Sequence, residues 1–279
     1  MSNILVQSPR SVVISGASIA GPTLAYWLNR YGFNVTVAER APAVRSGGYP
    51  IDIRGTAMGV IERMGLRSQV DAAHIASRAL TFVDAEGKAV ATLSIYDLTG
   101  NAANQDVELP RGELTTLLYG LTQDSRVRYR FEDSIESIED KGAGVNVLFK
   151  GGERQRYDVV IGADGIHSNT RRLAFGPEAP FNHYLGSSFN LFSLPNDLGL
   201  SHGAVVYAEP GRTAVVMAVR DSPELFAMLT SPQRPRGSAG IPTRPNRSSA
   251  PPPCSPMAGG RSRACWTRFG PPMISISTR

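Results

Sequence analysis

The stretch VVISGASIAGPTLAYWLNRYGFNVTVAER, residues 12–40, decides the fold of this chain. A short β-branched apolar run enters a turn that begins at Gly16 and ends at Gly21. Apolar residues at helical spacing follow as far as Tyr31, and a second apolar run ends at Glu39. A strand, a helix and a second strand in this order predict a complete βαβ unit of about 30 residues.

The glycine turn has the spacing of a dinucleotide-binding loop. In such loops the first glycine makes the tight turn, the second lets the backbone approach the pyrophosphate, and the third lets helix and strand pack closely. Gly16 and Gly21 hold the first and third positions, and Ser18 holds the second, where its hydroxyl can donate a hydrogen bond. Glu39 lies where an acidic side chain binds ribose hydroxyls, and its charge disfavours a 2′-phosphorylated adenosine. The alternative, glycines that serve packing alone, is weaker in this context.

A second strand–turn–helix pattern, DVVIGADGIHSNTRR, occupies residues 158–172. An apolar run enters glycines around Asp164, and a helix is predicted to begin near Ser168, although Asp-Gly is also an ordinary turn sequence. The chain is therefore predicted to be an α/β protein, with a Rossmann-like nucleotide-binding core interrupted by an antiparallel sheet. Further strands are predicted at residues 80–84, 89–95, 127–130, 134–139, 144–149, 154–162, 189–194, 204–208 and 213–219.

Four features together resemble the single-component FAD-dependent aromatic hydroxylases of the para-hydroxybenzoate hydroxylase type. They are the glycine loop, Glu39-Arg40, Arg111 in LPRGEL, and the pattern DxxIGADGxxSxxR from Asp158 to Arg171. The resemblance covers about residues 10–230. It implies a GR2-type Rossmann-like FAD-binding domain with an inserted antiparallel substrate-domain sheet. It also implies FAD as cofactor, NAD(P)H as reductant, and O₂-dependent hydroxylation of an aromatic or polyketide-like small molecule.

The resemblance further implies which residues contact the cofactor. The loop and the helix start would hold the pyrophosphate, Glu39 the adenosine ribose, and Arg111 the phosphates or ribityl chain. Asp164 would lie between FAD and a bound nicotinamide nucleotide, and Arg45 could approach the adenine or phosphate edge. No catalytic side chain is assigned. The expected cofactor-binding residues are Gly16, Ser18, Ile19, Ala20, Gly21, Glu39, Arg40, Arg111, Asp164 and Gly165.

The expected FAD-binding domain is discontinuous, comprising residues 1–78 and 106–176, and the substrate-domain sheet comprises residues 79–105 and 177–230. Residues 231–279 contain eight arginines, ten of the twenty prolines and no acidic residue, a composition typical of disorder.

The family's Gly-Asp-Ala-Ala fingerprint, whose aspartate binds the ribityl chain, does not occur in this sequence. We therefore expect a truncated or frameshifted C-terminus, because back-translation of residues 257–278 in a frame one base upstream permits a family-like segment. A natural arginine-rich tail is the alternative.

The net charge of +5 resides in this last segment, because removing its eight arginines leaves residues 1–230 at −3. The body therefore lacks the clustered basic residues of a nucleic-acid surface. Cys254 and Cys265 both lie in the same segment, and the four histidines are scattered, so neither a disulfide framework nor a metal site is expected. No signal peptide or membrane-spanning run is recognised, and a cytoplasmic location is expected. The oligomeric state is left open.

These observations predict an FAD-dependent monooxygenase whose activity is in question because the C-terminal motif is missing. A non-catalytic remnant that binds FAD or ADP is the alternative. A two-domain NAD-dependent dehydrogenase would share the first loop, but it does not explain the motif at residues 158–172.

Overall fold

A computed structural model gives the structure of the chain. It describes residues 10–95, 106–123, 125–183, 185–220 and 222–232.

The chain divides into two compact units. The first comprises Met1–His74 with Leu109–Asn182, and the second comprises Ile75–Glu108 with His183–Arg279. The division points lie a few residues from the predicted domain boundaries, and the functional roles given to the two segments stay predictions. The segment predicted as a tail from residue 231 begins with the last two residues of a strand. Residues 233–279, which include residues 257–278 of the frameshift hypothesis, lie outside the described residues.

In the first part of the chain, the described strands and helices are interspersed along the sequence, as in other α/β proteins. The strands are β1 Ser11–Ser15, β2 Asn34–Glu39, β3 Pro50–Ile53, β4 Ala79–Val83, β5 Ala89–Ser94, β6 Val107–Pro110, β7 Arg128–Phe131, β8 Ile135–Asp140, β9 Val145–Phe149, β10 Arg154–Tyr157, β11 Val159–Gly162, β12 Ser187–Pro195, β13 Gly203–Glu209, β14 Arg212–Ala218 and β15 Glu224–Pro232. The helices are α1 Ala20–Arg30, α2 Thr56–Arg63, α3 Arg67–Ala73, α4 Arg111–Gln123 and α5 Asn169–Phe175, with a 3₁₀ helix at Ala179–Phe181.

The first unit is built on a parallel sheet with the strand order β11-β1-β2-β7. Val12, Val13 and Ile14 of β1 are at most 1% exposed, as expected for a β-branched strand covered on both faces. Ala25 of α1 packs with Val12 and Ile14 on one face. The βαβ unit predicted from residues 12–40 is confirmed.

A three-stranded antiparallel sheet, β10-β9-β8, covers the other face of the parallel sheet. Phe149 and Tyr157 from this sheet are buried in one cluster with Val13 and Ala38. Burial of these large side chains is the main favourable contribution to this packing, at roughly 25 cal/mol per Å² of apolar surface. The parallel sheet is therefore a middle layer, as a Rossmann-like core requires.

The prediction of a single strand over residues 154–162 is wrong. β10 pairs with β9 in the antiparallel sheet, whereas β11 pairs with β1 in the parallel sheet. Asp158 lies between them, and its carboxylate accepts hydrogen bonds from the Ser11 amide at 2.6 Å and the Ser11 hydroxyl at 2.9 Å. These bonds fix the start of β11 beside the start of β1, so the chain changes sheets at this residue.

The second unit contains a six-stranded sheet in the order β12-β15-β14-β13-β4-β5. Neighbouring strands run antiparallel except β13 and β4, which are parallel, so the predicted antiparallel sheet is mixed at this pair. Val216, Ala218, Leu225 and Ala227 form a buried cluster on one face. The predicted fold class is confirmed. None of the helices in the described ranges has the length and apolar character needed to cross a bilayer.

Candidate cofactor-binding site

A cleft of about 360 Å³ opens in the first unit between the β1–α1 turn and the β11–α5 turn. Its volume falls within the range of small-molecule sites. It lies at the carboxyl ends of β1, β2 and β11, the edge at which open α/β sheets bind ligands. Nine of the ten predicted cofactor-binding residues line it, together with Arg45: Gly16, Ser18, Ile19, Ala20, Glu39, Arg40, Arg111, Asp164 and Gly165.

The close approach of the two turns requires glycine in the first. A Cβ built on Gly16 would lie 2.5 Å from the Ala163 carbonyl oxygen, and the Gly16 φ of +107° is strained for any L side chain. A Cβ on Gly21 would lie 1.9 Å from the Gly16 carbonyl oxygen. Gly21 is the one predicted residue that does not line the cleft. Its position packs α1 against the turn.

The first turn of α1 has amides that are not used by the protein. Ile19 at the N-cap makes no side-chain capping bond. The amides of Ser18, Ile19 and Ala20 have no hydrogen-bond acceptor within the ranges that the structure describes. Such amides carry the partial positive charge of a helix N-terminus and bind phosphate. With the close glycine turn, these free donors fit the diphosphate of a dinucleotide.

Glu39 ends β2 at the floor of the cleft. One carboxylate oxygen, Oε2, accepts a hydrogen bond from the Ala17 amide at 2.8 Å, and Oε1 accepts one from the Ala41 amide at 3.0 Å. The carboxylate therefore holds the start of the loop in place. Each oxygen keeps a free lone pair that can accept a ribose hydroxyl.

Three arginines line the cleft, namely Arg40, Arg45 and Arg111. Arg111 begins α4, and its Nη2 donates a hydrogen bond to Ser18 Oγ at 2.9 Å. Two carboxylates, Glu39 and Asp164, line the same cleft. The charges of the lining side chains are therefore suited to an anionic ligand that also carries hydroxyl groups.

Asp164 is bonded within the protein on both carboxylate oxygens. It accepts hydrogen bonds at 2.5–3.3 Å from the Ser168 hydroxyl, the Thr170 amide and hydroxyl, and the Ser15 hydroxyl. Burial raises the pKa of this carboxyl, but the bonds from Ser168 and Thr170 outweigh burial and hold the pKa below its ordinary value. An ionised Asp164 therefore ties the end of β1 to the start of α5, in the wall of the cleft.

Several lining residues were not predicted from the sequence. Ser134 belongs to no recognised binding motif. Asn169 holds a variable position of the motif at residues 158–172, and its amide group donates to the Ile135 carbonyl at 2.7 Å. His167 lines the cleft while its Nδ1 lies 3.0 Å from Glu178 Oε1. The sequence feature that could have identified His167 as a lining residue is its position directly after the Asp164 turn. Among the described residues no group of three His, Cys, Asp or Glu side chains could hold a metal ion.

A family model described as an FAD binding domain matches residues 10–235. The chain belongs to this FAD-binding-domain family. The resemblance to FAD-dependent aromatic hydroxylases is thereby confirmed, since relatives that match the same region are flavin-dependent monooxygenases.

Relatives of this FAD-binding-domain chain come from bacteria and fungi. It is 43% identical over 221 residues to an uncharacterized protein of Mycobacterium tuberculosis strain H37Rv, covering 79% of this chain and 59% of the relative. It is 36% identical over 218 residues to a flavin-dependent monooxygenase of an unknown prokaryotic organism (78% and 56%). It is 34% identical over 231 residues to the FAD-dependent monooxygenase asL4 of Sarocladium schorii (80% and 53%). The chain therefore spans between 53% and 59% of these relatives' length.

Solved structures give the same fold. The crystal structure of tetracycline destructase Tet(55) superimposes with a TM-score of 0.72 at 33% identity, covering 81% of this chain and 57% of that chain. A variant of Klebsiella pneumoniae HpxO complexed with FAD superimposes with a TM-score of 0.64 at 20% identity, covering 83% and 59%. The second likeness supports the fold alone.

Proposed function

We propose that the chain binds FAD by placing its adenosine diphosphate part in the cleft between the two turns, and that it serves a monooxygenase reaction. One observation carries this proposal: nine residues expected to contact FAD line a single cleft. Bound FAD would supply the redox chemistry, and the chain's own residues would hold and orient it.

Each part of an adenosine diphosphate has a counterpart among these residues. The free amides at the start of α1 and the Arg111 guanidinium are donors for phosphate oxygens. The Glu39 carboxylate is an acceptor for ribose hydroxyls. The proposed role of Asp164 and Gly165 is to form the opposite wall, next to the place where NAD(P)H would approach.

The proposed reaction is the hydroxylation of an aromatic or polyketide-like small molecule with NAD(P)H and O₂. Relatives that are flavin-dependent monooxygenases support this class, and so does the likeness to a tetracycline destructase. A cytoplasmic location is part of the same proposal.

A second candidate function is non-catalytic binding of FAD or ADP. The observation that favours it is that the sequence contains no Gly-Asp-Ala-Ala string for the ribityl chain. Both candidates place adenosine diphosphate in the same cleft, and they differ in whether bound flavin turns over.

Calorimetric titration of the purified chain with ADP and then FAD tests the proposal. We expect ADP to bind and FAD to compete with it. Glu39→Gln should weaken ADP binding about tenfold, because losing one charge-assisted hydrogen bond costs about 1.5 kcal/mol. Glu136→Gln, which alters an exposed carboxylate on β8, is the matched control and should leave ADP affinity unchanged. A folded chain that binds neither ADP nor FAD would contradict the proposal.

Flavin-coupled oxidation of NAD(P)H then separates the two candidates. A chain that holds FAD and oxidises NADH or NADPH at a rate proportional to bound flavin is the enzyme. A chain that binds ADP and FAD with no such oxidation is the non-catalytic form.

A further inference from the structure

A second cleft of the first unit lies at the opposite end of the parallel sheet from the cofactor-binding cleft. It has a volume of about 490 Å³ and opens where β1, β2 and β7 begin, and we call it the amino-end cleft. Its polar lining side chains include Asn34, Ser125, Arg126, Arg128, Gln155 and Tyr157. A cleft of about 320 Å³ adjoins it, because three of these residues line both. Clefts of this size accommodate small organic molecules.

The lining side chains give the amino-end cleft a positive charge. Arg126 and Arg128 line it, and within the ranges that the structure describes no carboxylate does. Neither guanidinium makes an ion pair or a hydrogen bond with another described residue. The cofactor-binding cleft differs, because its arginines share it with Glu39 and Asp164. A cleft lined by charges of one sign concentrates ligands of the opposite sign, so the amino-end cleft is suited to an anion.

The backbone places the two arginines on the same side of the chain. Val127 between them is buried at 8% exposure, whereas both arginines are exposed. The turn before them is fixed by Ser125, whose hydroxyl donates to the Thr122 carbonyl at 2.6 Å and accepts a bond from the Val127 amide at 3.2 Å. Residues two apart in an extended chain are separated by roughly 6.5–7 Å. Two long guanidinium side chains at that spacing can both donate to one phosphate group.

Gln155 adds uncharged donors to the same cleft. The Tyr157 hydroxyl donates a hydrogen bond to Gln155 Oε1 at 2.9 Å. Burial raises the pKa of the Tyr157 phenol, so the phenol keeps its proton at neutral pH and acts as this donor. The bond turns the Gln155 oxygen toward the phenol and leaves two amide N–H groups that have no acceptor in the described part of the chain. This observation is independent of the arginines, and it also favours a ligand rich in acceptor oxygens.

We infer that the amino-end cleft is a second ligand site, which binds a phosphate group, free or carried by a small molecule, through Arg126, Arg128 and the Gln155 amide. A phosphate group has more acceptor oxygens than a carboxylate and can use donors from several side chains at once. The site lies at the amino ends of the strands, whereas the proposed FAD site lies at their carboxyl ends. A ligand here therefore binds in addition to FAD and does not replace it.

Amide-resolved NMR of the isotope-labelled chain tests the second site by titration with inorganic phosphate, glycerol phosphate and succinate at constant ionic strength. ADP is present throughout to occupy the cofactor-binding cleft. We expect saturable shifts for the amides of Asn34, Arg126 and Arg128 with both phosphates, and weaker binding of succinate. Tighter binding of glycerol phosphate than of inorganic phosphate would identify a phosphate ester as the ligand, and equal affinity would identify free phosphate.

Three variants test the donors that the inference names. Arg126→Gln and Arg128→Gln should each weaken phosphate binding about fivefold, because each removes a charge-assisted hydrogen bond. Gln155→Glu keeps an acceptor for the Tyr157 hydroxyl but replaces both amide donors with a negative charge. It should abolish phosphate binding, since like charges repel at this distance.

Arg63→Gln, which alters an exposed arginine on α2 that donates to the Gly59 carbonyl at 3.1 Å, is the matched control and should bind phosphate as the wild type does. Thermal unfolding of each variant shows whether it is folded, and the two exposed arginine variants keep the test open if Gln155→Glu does not fold. Absence of phosphate-dependent shifts at these amides, wild-type phosphate affinity in all three variants, or tighter binding of succinate than of both phosphates would overturn the second site. Shifts caused by ADP at the β1–α1 turn report on the proposed function separately, so each proposal can fail without the other.

Discussion

The two turns that form the cleft follow the same strand–turn–helix path, but their helix N-termini differ. In the β11–α5 turn, Ser168 caps the helix by accepting the Arg171 amide at 2.9 Å, and Asp164 accepts the Thr170 amide at 2.9 Å. In the β1–α1 turn, Ile19 stands at the N-cap and offers no side-chain acceptor. One helix start is satisfied by the protein, and the other has free donors.

This difference in capping predicts that the two motifs have different roles, one in stability and the other in ligand binding. At a capped helix N-terminus the first amides donate hydrogen bonds to side chains, and the cap stabilises the fold by about 1 kcal/mol. An uncapped N-terminus lacks that stabilisation, but its amides remain available to donate hydrogen bonds to a ligand. Apart from the two glycines that the packing requires, we therefore expect substitutions in the β1–α1 turn to act mainly on ligand affinity, and substitutions in the β11–α5 turn to act mainly on stability.

The packing of α1 against the turn that precedes it is the feature whose loss should cost the most stability. Gly21→Ala would place a Cβ 1.9 Å from the Gly16 carbonyl oxygen, a backbone atom that cannot move alone. We expect the free energy of unfolding to fall by about 3 kcal/mol or more, measured by urea denaturation.

Gly59→Ala in α2 is the matched control, because nothing lies within 4 Å of a Cβ there. Alanine in that helix should stabilise the chain by about 0.5–1 kcal/mol. Equal stability of Gly21→Ala and the wild type would show that the helix and the turn are not in close contact.

Asp164→Asn should have the next largest effect. An amide group cannot accept the bonds of Ser168, Thr170 and Ser15 on both of its atoms, so buried donors lose their partner. We expect unfolding free energy to fall by about 2–3 kcal/mol at pH 7. Asp71→Asn, at an exposed ion pair with Arg67, is the control and should cost less than about 1 kcal/mol.

The pH dependence of the Asp164→Asn effect follows from the lowered pKa of that carboxyl in the folded chain. Its contribution to stability is complete above the pKa of the unfolded chain, about 4, and is lost as pH falls through the folded pKa. The difference in unfolding free energy between wild type and variant should therefore be constant from pH 7 to about 5 and shrink below about pH 4. A difference that grows on acidification would contradict this assignment.

Ser168→Ala should have the smallest effect on stability, about 1–2 kcal/mol, because it removes the capping bond from the Arg171 amide and the bond that the hydroxyl donates to Asp164. ADP affinity should stay close to the wild-type value, since Ser168 is outside the set of residues that line the cleft. Calorimetry and thermal unfolding on the same samples check both parts. A large loss of ADP affinity with unchanged stability would reverse the roles that we give to the two turns.

The sequence predicted the βαβ unit and the place of the second turn because both depend on local patterns. A continuous β-branched apolar run located β1, helical spacing after the glycine turn located α1, and the serine before Asn169 located the start of α5. The glycine spacing also gave Gly21 its packing role, since Gly21 packs the helix while Gly16 lines the cleft.

The features that the sequence did not predict depend on distant contacts. The bond between Ser18 and Arg111 joins residues 93 positions apart, and no local pattern encodes it. The break between β10 and β11 depends on the bonds of Asp158 to Ser11, which only the folded sheet brings together. The parallel pairing of β4 with β13 likewise follows from topology and not from composition.

The central claim is that adenosine diphosphate occupies the cleft on the free amides of the β1–α1 turn. Amide-resolved NMR of the isotope-labelled chain during titration with ADP tests it most directly. We predict large, saturable shifts for the amides of Ser18, Ile19 and Ala20, with little change for those of Thr170 and Arg171, which the protein already uses. Saturable ADP shifts confined to other surfaces, or no shifts at the β1–α1 turn, would contradict the account.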